Sequence, residues 1–248
     1  MTRQLWYNTR VKKNRIIEWL DGTLCVSAFD DVSNNGIQVD RRGDDVSSVA
    51  FAVDASVKAV AAAAKAGAQL LVVHHGISWG GGIRRIVGGV YEVVKAAVDA
   101  DIALYACHLP LDAHPRLGNN ARIAKSLGLC RVHPAFSYHG NVIGLVGESR
   151  RDRNVDIGGR VVSLAAGEKV GVCSGGAGEF AEEAKRLGCE VFVTGEANWG
   201  EIVAAENCGM LMICCGHYAT EVFGVRAVAE AMRHALKVKT ADLTGELA

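Results

Sequence analysis

Short apolar runs alternate with helical segments along most of this chain, and this alternation constrains its fold more than any other feature. Strands separated by helices of about 8–15 residues are typical of βαβ units, so the sequence predicts an α/β fold with mostly parallel sheets. The predicted strands are Val49–Val53, Gln69–Val73, Ile102–Cys107, Val142–Val146, Val170–Cys173, Val191–Thr194 and Leu211–Cys215. The predicted helices are Ser56–Ala66, a helix with Val90, Val93, Val94, Ala97 and Val98 on one face, Asn119–Leu127, Glu179–Leu187, Glu201–Asn207, and a final helix with Val222, Val225, Ala229 and Met232 on one stripe.

The second half of the chain repeats the rhythm of the first. With 248 residues, the chain can form one large domain or two of about 100–150 residues. We predict two similar α/β domains, 1–127 and 128–248, divided near Gly128–His139. We also expect the C-terminal helix to pack back on the first domain.

The composition excludes several classes of protein. Lys and Arg number 27 and Asp and Glu also 27, so charge gives no reason to expect a nucleic-acid or acidic-membrane partner. No apolar run approaches the ~18–20 residues of a membrane helix, and Met1–Leu20 lacks the apolar core of a secretory signal. We therefore expect a cytoplasmic protein with no membrane partner. The eight cysteines form no Cys-x-x-Cys pair, which favours core positions over a zinc or redox site.

A pair of histidines, His74 and His75, stands at the carboxyl end of a predicted strand. In open α/β sheets this edge binds ligands. Neighbouring residues inside a strand point to opposite faces, so both rings serve one site only where the strand ends, and Gly76 supplies such an end. The alternative, two structural histidines at a strand terminus, is equally consistent with this pair alone.

Three further acidic or histidine residues also follow predicted strands. Asp112 lies in a loop that Pro110 stiffens, although a loop aspartate is more often a turn or cap residue. His217 and Glu221 have the i, i+4 spacing of ligands on a metal-binding helix, with Thr220 placed as a helix cap. For Glu221 the alternative is a favourable interaction with the helix dipole, worth roughly 0.3–1 kcal/mol.

The placement of these five side chains favours a metal site over coincidence, because all follow strand ends in both halves of the chain. A carboxylate can bridge two divalent ions about 3.5–4 Å apart, and such a pair activates a water. Imidazole and carboxylate ligands suit Zn, Mn, Fe, Co or Ni and leave the metal open. His108 precedes Asp112 by four residues and is the best candidate for general acid or base.

The glycine-rich segment Ser174–Gly178 is the remaining motif. Its free amides could hold an anion, but it matches neither the P-loop nor the dinucleotide fingerprint, so a tight turn is favoured. Thr194-Gly195-Glu196 also ends a predicted strand, and in this interpretation it faces the same cleft as the five candidate metal ligands.

Five stretches occur in an order that resembles the NIF-three-like dinuclear-metal hexameric family, often labelled GTP cyclohydrolase 1 type 2, and in particular its short bacterial members. These stretches are Asn35-Gly36-Ile37-Gln38-Val39, His74-His75-Gly76, His108-Leu109-Pro110-Leu111-Asp112, Thr194-Gly195-Glu196 and Gly216-His217-Tyr218-Ala219-Thr220-Glu221. The glycine-rich segment and Trp79 also have counterparts in the short members.

The resemblance implies two α/β domains around a cleft with two divalent metal ions per subunit, held by His74, His75, Asp112, His217 and Glu221. It also implies six subunits in a toroid and a hydrolase of the GTP cyclohydrolase type, in which a metal-activated water opens the purine imidazole ring. On this hypothesis the small-molecule substrate is GTP, and His108 or a carboxylate moves protons. The alternative is a metal-stabilised ring that binds or scaffolds a partner without turnover.

Overall fold

Two α/β units make up the part of the chain that the computed structural model describes, residues 10–247. Residues 1–9 and residue 248 lie outside the described residues. Residues 1–9 include the start of Met1–Leu20, the segment that the sequence analysis predicts not to be a secretory signal. Among the described residues, unit 1 comprises 10–108 and 225–247, and unit 2 comprises Leu109–Gly224. The halves predicted from the sequence, 1–127 and 128–248, instead divide the chain inside unit 2.

The described elements, in chain order, are β1 (Val11–Lys12), α1 (Lys13–Leu24), β2 (Gly36–Val39), β3 (Asp45–Val46), β4 (Ser48–Asp54), α2 (Val57–Lys65), β5 (Leu70–His75), α3 (Gly88–Asp99), β6 (Ala103–Ala106), α4 (Leu109–Ala113), α5 (Asn119–Ser126), β7 (Leu129–Tyr138), β8 (Asn141–Ser149), β9 (Arg153–Ile157), β10 (Arg160–Leu164), β11 (Lys169–Gly176), α6 (Ala181–Arg186), β12 (Val191–Glu196), α7 (Trp199–Asn207), β13 (Leu211–Cys214), α8 (His217–Leu236), β14 (Lys239–Asp242) and α9 (Thr244–Leu247). Short 3-10 turns stand at Val26–Ala28 and Gly178–Phe180.

Unit 1 is built on a five-stranded sheet of order β14-β4-β5-β6-β2, in which only β2 is antiparallel to its neighbour. Strands β4 and β5 are almost wholly buried, as expected for parallel strands that read as continuous apolar runs. Their side chains pack with Val60 and Ala63 of α2 and with Val93 and Ala97 of α3 into one core. This parallel arrangement places the carboxyl ends of β4, β5 and β6 at one edge of the sheet.

Unit 2 is built on a second five-stranded sheet, of order β13-β12-β11-β8-β7. Strands β11, β12 and β13 are parallel, whereas β8 and β7 are antiparallel. The core joins Val172 and Val193 of the sheet to Ile123 of α5 and to Val162 of the hairpin formed by β9 and β10. The carboxyl ends of β11 and β12 and the start of α8 therefore belong to one unit.

The predicted α/β class with mostly parallel sheets is confirmed, and each predicted strand coincides with an observed one. Four local predictions were wrong. Gly128–His139 contains strand β7 rather than a division between domains, and Asp112 lies in helix α4 rather than in a loop. Val98 is 48% exposed although the helical period places it with Val93 and Ala97, and Cys25 is exposed rather than in the core.

The cysteines otherwise follow the prediction in part. Cys107, Cys173, Cys189 and Cys215 are buried, and the other three are half-buried. Among residues 10–247, no helix combines the length and the apolar character that crossing a bilayer requires.

Candidate metal centre

His74 and His75 lie at the carboxyl end of β5, and their ring centroids are 4.6 Å apart. The strand ends at His75, directly before Gly76, so Gly76 supplies the end of the strand as predicted, although the strand runs two residues past the predicted Val73. The two rings nevertheless lie side by side. His74 is fully buried and the His75 side chain is 20% exposed.

The Nδ1 atoms of both rings are held by oxygen acceptors. His74 Nδ1 lies 3.0 Å from the Cys107 carbonyl oxygen, and His75 Nδ1 lies 2.8 Å from Asp54 Oδ1. A carbonyl only accepts, so His74 carries its proton on Nδ1 and keeps the Nε2 lone pair. Asp54 favours the same tautomer at His75, and this is the usual outer arrangement of metal-binding histidines. Asp54 was missed by the sequence analysis, since it is one of several acidic residues near strand ends.

His108 joins this pair at the end of β6. Its ring centroid lies 5.1 Å from that of His74 and 5.6 Å from that of His75. One ligand atom from each of the three imidazoles lies within 4.8 Å of the others. His108 Nδ1 lies 2.9 Å from Asp31 Oδ1, and its backbone N–H donates to Asn35 Oδ1. The predicted candidate for acid–base chemistry therefore lies beside two predicted ligands.

Asp31 is a buried partner of His108 that the sequence analysis missed. Burial by itself raises the pKa of this carboxyl, but hydrogen bonds from His108, Asn35 and the Ser33 backbone outweigh burial and lower the pKa to about 2. The side chain is only 2% exposed. An ionised, buried carboxylate at Nδ1 keeps the His108 proton there and leaves Nε2 to accept another.

In unit 2, His217 and Glu221 lie in the first turns of α8, as their spacing predicts. His217 Nε2 is 3.1 Å from Glu221 Oε1, and His217 Nδ1 is 2.9 Å from Oε1 of Glu196 at the end of β12. The hydrogen bond that His217 donates to Glu221 is the largest contribution that raises the pKa of His217 to about 9, and the one to Glu196 adds to it.

Thr220 does not cap α8 as predicted. The helix begins at His217, so Thr220 lies inside the first turn, where its hydroxyl donates to the His217 carbonyl and accepts from Gly175 N–H. Its side chain ties the helix to the end of β11.

Asp112 is buried beside Glu221. A carboxylate oxygen of Asp112 lies within 4.8 Å of a carboxylate oxygen of Glu221. Asp112 Oδ1 accepts from Asn119 Nδ2 at 2.8 Å and from Ser174 Oγ at 2.9 Å. Asp112 is 6% exposed and Glu221 is 2% exposed. Two buried carboxylates this close repel each other, so the pair is suited to a cation. The donor set of unit 2 therefore fits a divalent metal.

The segment Ser174–Gly178 shapes this pair rather than offering a free anion site. Backbone N–H groups of Ser174, Gly175 and Ala177 donate to Asn120, Thr220 and Thr194, all within unit 2. Gly175 has φ +69°, and a Cβ atom there would lie 2.6 Å from Glu221 Oε1. Glycine is needed here both for the backbone conformation and for the approach of the carboxylate.

Comparisons with known proteins give the same family over most of the chain. A family model described as Duf34/NIF3 (NGG1p interacting factor 3) matches residues 11–244. A Deinococcus radiodurans protein named GTP cyclohydrolase 1 type 2 homolog is 40% identical over 233 residues, covering 88% of each chain. A Pyrococcus horikoshii protein of the same name is 37% identical over 242 residues, covering 92% of this chain and 96% of its own.

Solved structures agree with the sequence relatives. One described as protein ybgI, of unknown function, is 30% identical with a TM-score of 0.82, and TTHA1606 from Thermus thermophilus is 28% identical with a TM-score of 0.75. Each match covers 94% of this chain and 98% of the other. The chain belongs to the Duf34/NIF3 family.

Proposed function

We propose that this protein is a hydrolase that depends on two divalent metal ions. The observation that carries the proposal is the orientation of the candidate imidazole ligands and the closeness of the two buried carboxylates. His74 and His75 each have Nδ1 held by an oxygen, which presents Nε2. In unit 2, Asp112 and Glu221 are buried close together, and His217 Nε2 lies 3.1 Å from Glu221 Oε1. The ligands in this proposal are His74, His75, Asp112, His217 and Glu221.

Two sets of ligands, one in each unit, form a single centre in this proposal. The chain passes from unit 1 to unit 2 after His108, four residues before Asp112, and returns to unit 1 at Val225, four residues after Glu221. The family resemblance, in which all five residues are ligands of one cleft, supports the same grouping.

Two divalent ions bound to such ligands supply Lewis-acid activation of water and substrate. The residues of the chain supply the rest. His108 accepts or delivers a proton at Nε2, because Asp31 holds the proton on Nδ1. Asp54 and Glu196 orient His75 and His217 through Nδ1.

GTP is the substrate we propose, with opening of the purine imidazole ring and release of formate as the reaction. The support is the name GTP cyclohydrolase 1 type 2 homolog, which relatives 33–40% identical to this chain carry.

The test is incubation of the metal-loaded protein with GTP, followed by assays for formate and for the ring-opened product. We expect turnover in the wild type and its loss in His75→Ala and Glu221→Ala. Matched controls are His133→Ala, an exposed histidine, and Glu230→Ala, an exposed glutamate on the same helix as Glu221. Both controls should keep full activity.

Absence of product from GTP would contradict the cyclohydrolase assignment. Phosphoesters and other nucleotides then test the broader hydrolase. Metal binding without turnover of any of them would favour the alternative, a metal-stabilised scaffold.

We also propose a homohexamer as the working assembly. Large apolar side chains that remain exposed in each unit are consistent with further burial between copies of the chain, among them Ile86 (55% exposed), Val87 (64%) and Leu211 (57%). Light scattering at low micromolar concentration should give six times the 26.2 kDa chain mass. A mass near one subunit would contradict the hexamer.

A further inference from the structure

Trp79 is an exposed aromatic residue held in a fixed orientation beside the imidazoles of unit 1. The residue remains 39% exposed although its indole N–H donates to the Gly76 carbonyl at 3.0 Å. Its ring centroid lies 5.1 Å from His108, at 77° between the planes, and 5.9 Å from His75. A large apolar surface is therefore presented next to a proposed ligand and a proposed proton-transfer residue.

The backbone that carries Trp79 is fixed on both sides. Asn34 N–H donates to the Ser78 carbonyl at 3.1 Å, and Gly80 N–H donates to the Val32 carbonyl at 2.7 Å. These bonds make a short antiparallel bridge between Ser33 and Trp79. Such a bridge restrains the position of the indole before any ligand arrives.

Gln38 on β2 adds a second restraint. Its Oε1 accepts from Ile77 N–H at 2.6 Å and from Ser78 N–H at 3.2 Å. Gly76 lies so close to this amide that a Cβ there would be 2.2 Å from Gln38 Oε1. The segment from Gly76 to Gly80 is thus bonded along its length to residues 32–38.

The three residues after Trp79 add no side chains beside it. Gly80, Gly81 and Gly82 carry no side chains, and a Cβ at Gly80 or Gly82 would meet nothing within 4 Å. An exposed aromatic on rigid backbone loses little entropy when a ligand packs on it, and this is typical of binding sites.

We infer that Trp79 is the stacking platform for a planar heterocyclic substrate, which it holds against His75 and His108. The inference rests on the proposed function for the role of the two histidines, but the stacking itself does not require turnover. The site then selects ligands by an aromatic ring, with a purine as the class that fits the proposed reaction. Trp79 is a binding residue in this scheme and takes no part in proton transfer.

The test is calorimetric titration of the metal-loaded protein with guanosine and, separately, with ribose 5-phosphate, which lacks the ring. Trp79→Ala should weaken guanosine binding roughly 5- to 150-fold, which corresponds to the about 1–3 kcal/mol of stacking a base on an aromatic side chain. Trp79→Phe should remain within about threefold of the wild type, since it keeps a ring. Trp199→Ala, which removes a 78% exposed tryptophan of unit 2, should change nothing.

Tryptophan fluorescence gives a second measurement if Trp79→Ala proves unstable. Guanosine should quench the emission of the wild type and of Trp199→Phe, and this quenching should be lost in Trp79→Phe.

The inference is overturned if guanosine does not bind the wild type, if Trp79→Ala binds it as tightly as the wild type, or if ribose 5-phosphate binds equally well. Binding that depends on Trp79 without product from GTP would leave the inference standing and refute the cyclohydrolase assignment. Product formation from GTP that is unchanged in Trp79→Ala would refute the stacking inference and leave the cyclohydrolase assignment standing.

Discussion

Replacing Asp31 by Asn tests the carboxylate that orients His108. The pKa of Asp31, lowered from 3.8 to about 2, corresponds to about 2 kcal/mol of unfolding free energy, at about 1.4 kcal/mol for each tenfold change in the ionisation constant. The side chain is 2% exposed, so screening by water removes little of this amount. We therefore expect Asp31→Asn to lower the unfolding free energy by about 2 kcal/mol at pH 7.

The sign of the pH dependence follows from the lowered pKa. The stabilisation is fully present above the ordinary pKa of 3.8 and is lost as the pH falls through about 2. The difference between wild type and Asp31→Asn should therefore shrink as the pH falls from 5 towards 3.

Urea unfolding of chelator-treated protein, followed by circular dichroism at several pH values, measures this difference. Asp44→Asn, at an exposed carboxylate of unit 1, is the control and should change the unfolding free energy by less than about 0.5 kcal/mol. Equal effects of the two substitutions, or an effect of Asp31→Asn that is constant with pH, would refute the argument.

Three further predictions concern unit 2 and the metals. Gly175→Ala should abolish metal binding, measured by calorimetric titration, because its Cβ would lie 2.6 Å from Glu221 Oε1. Gly67→Ala is the control: it also has φ +69° but nothing within 4 Å of its Cβ, so it should lower stability and still bind metal. Because the pKa of His217 is raised from 6.5 to about 9, protonated His217 stabilises the metal-free protein below pH 6.5, and this stabilisation is lost as the pH rises through about 9. The unfolding free energy of the chelator-treated wild type should therefore fall more over this interval than that of His217→Gln. A divalent ion at 100 times its Kd should raise the unfolding free energy by about 2.7 kcal/mol in Glu230→Ala and by far less in Glu221→Ala, as thermal unfolding with and without metal will show.

The sequence predicts seven of the ten strands in the two five-stranded sheets, because their apolar runs are nearly continuous. Strands β2 and β14 were missed because each has only four residues and is largely half-buried or exposed. Strand β7 was missed because it is partly exposed, and its residues Arg131, His133 and Pro134 interrupt any apolar pattern. Within each sheet, the strand order decides which strand ends lie at the same edge. A local sequence pattern cannot predict that order. Helix α4 was taken for a loop because five residues are too few for a periodic signal.

The candidate ligands were predictable because histidine and acidic residues at strand ends and at i, i+4 spacing are uncommon by chance. Their oxygen partners were not. Asp31 is 77 residues from His108 and Asp54 is 21 residues from His75, so only the fold brings each pair together. Glu196 was noticed as a strand-end residue, but its contact with His217 depends on the pairing of β12 with β13.

The metal content of the purified protein tests the central claim most directly. Elemental analysis of the wild type should find two divalent ions per chain after loading and desalting, and Glu221→Ala should lose them while Glu230→Ala keeps them. A wild-type protein that retains no divalent ion, or a Glu221→Ala protein that retains both, would contradict the metal centre proposed here.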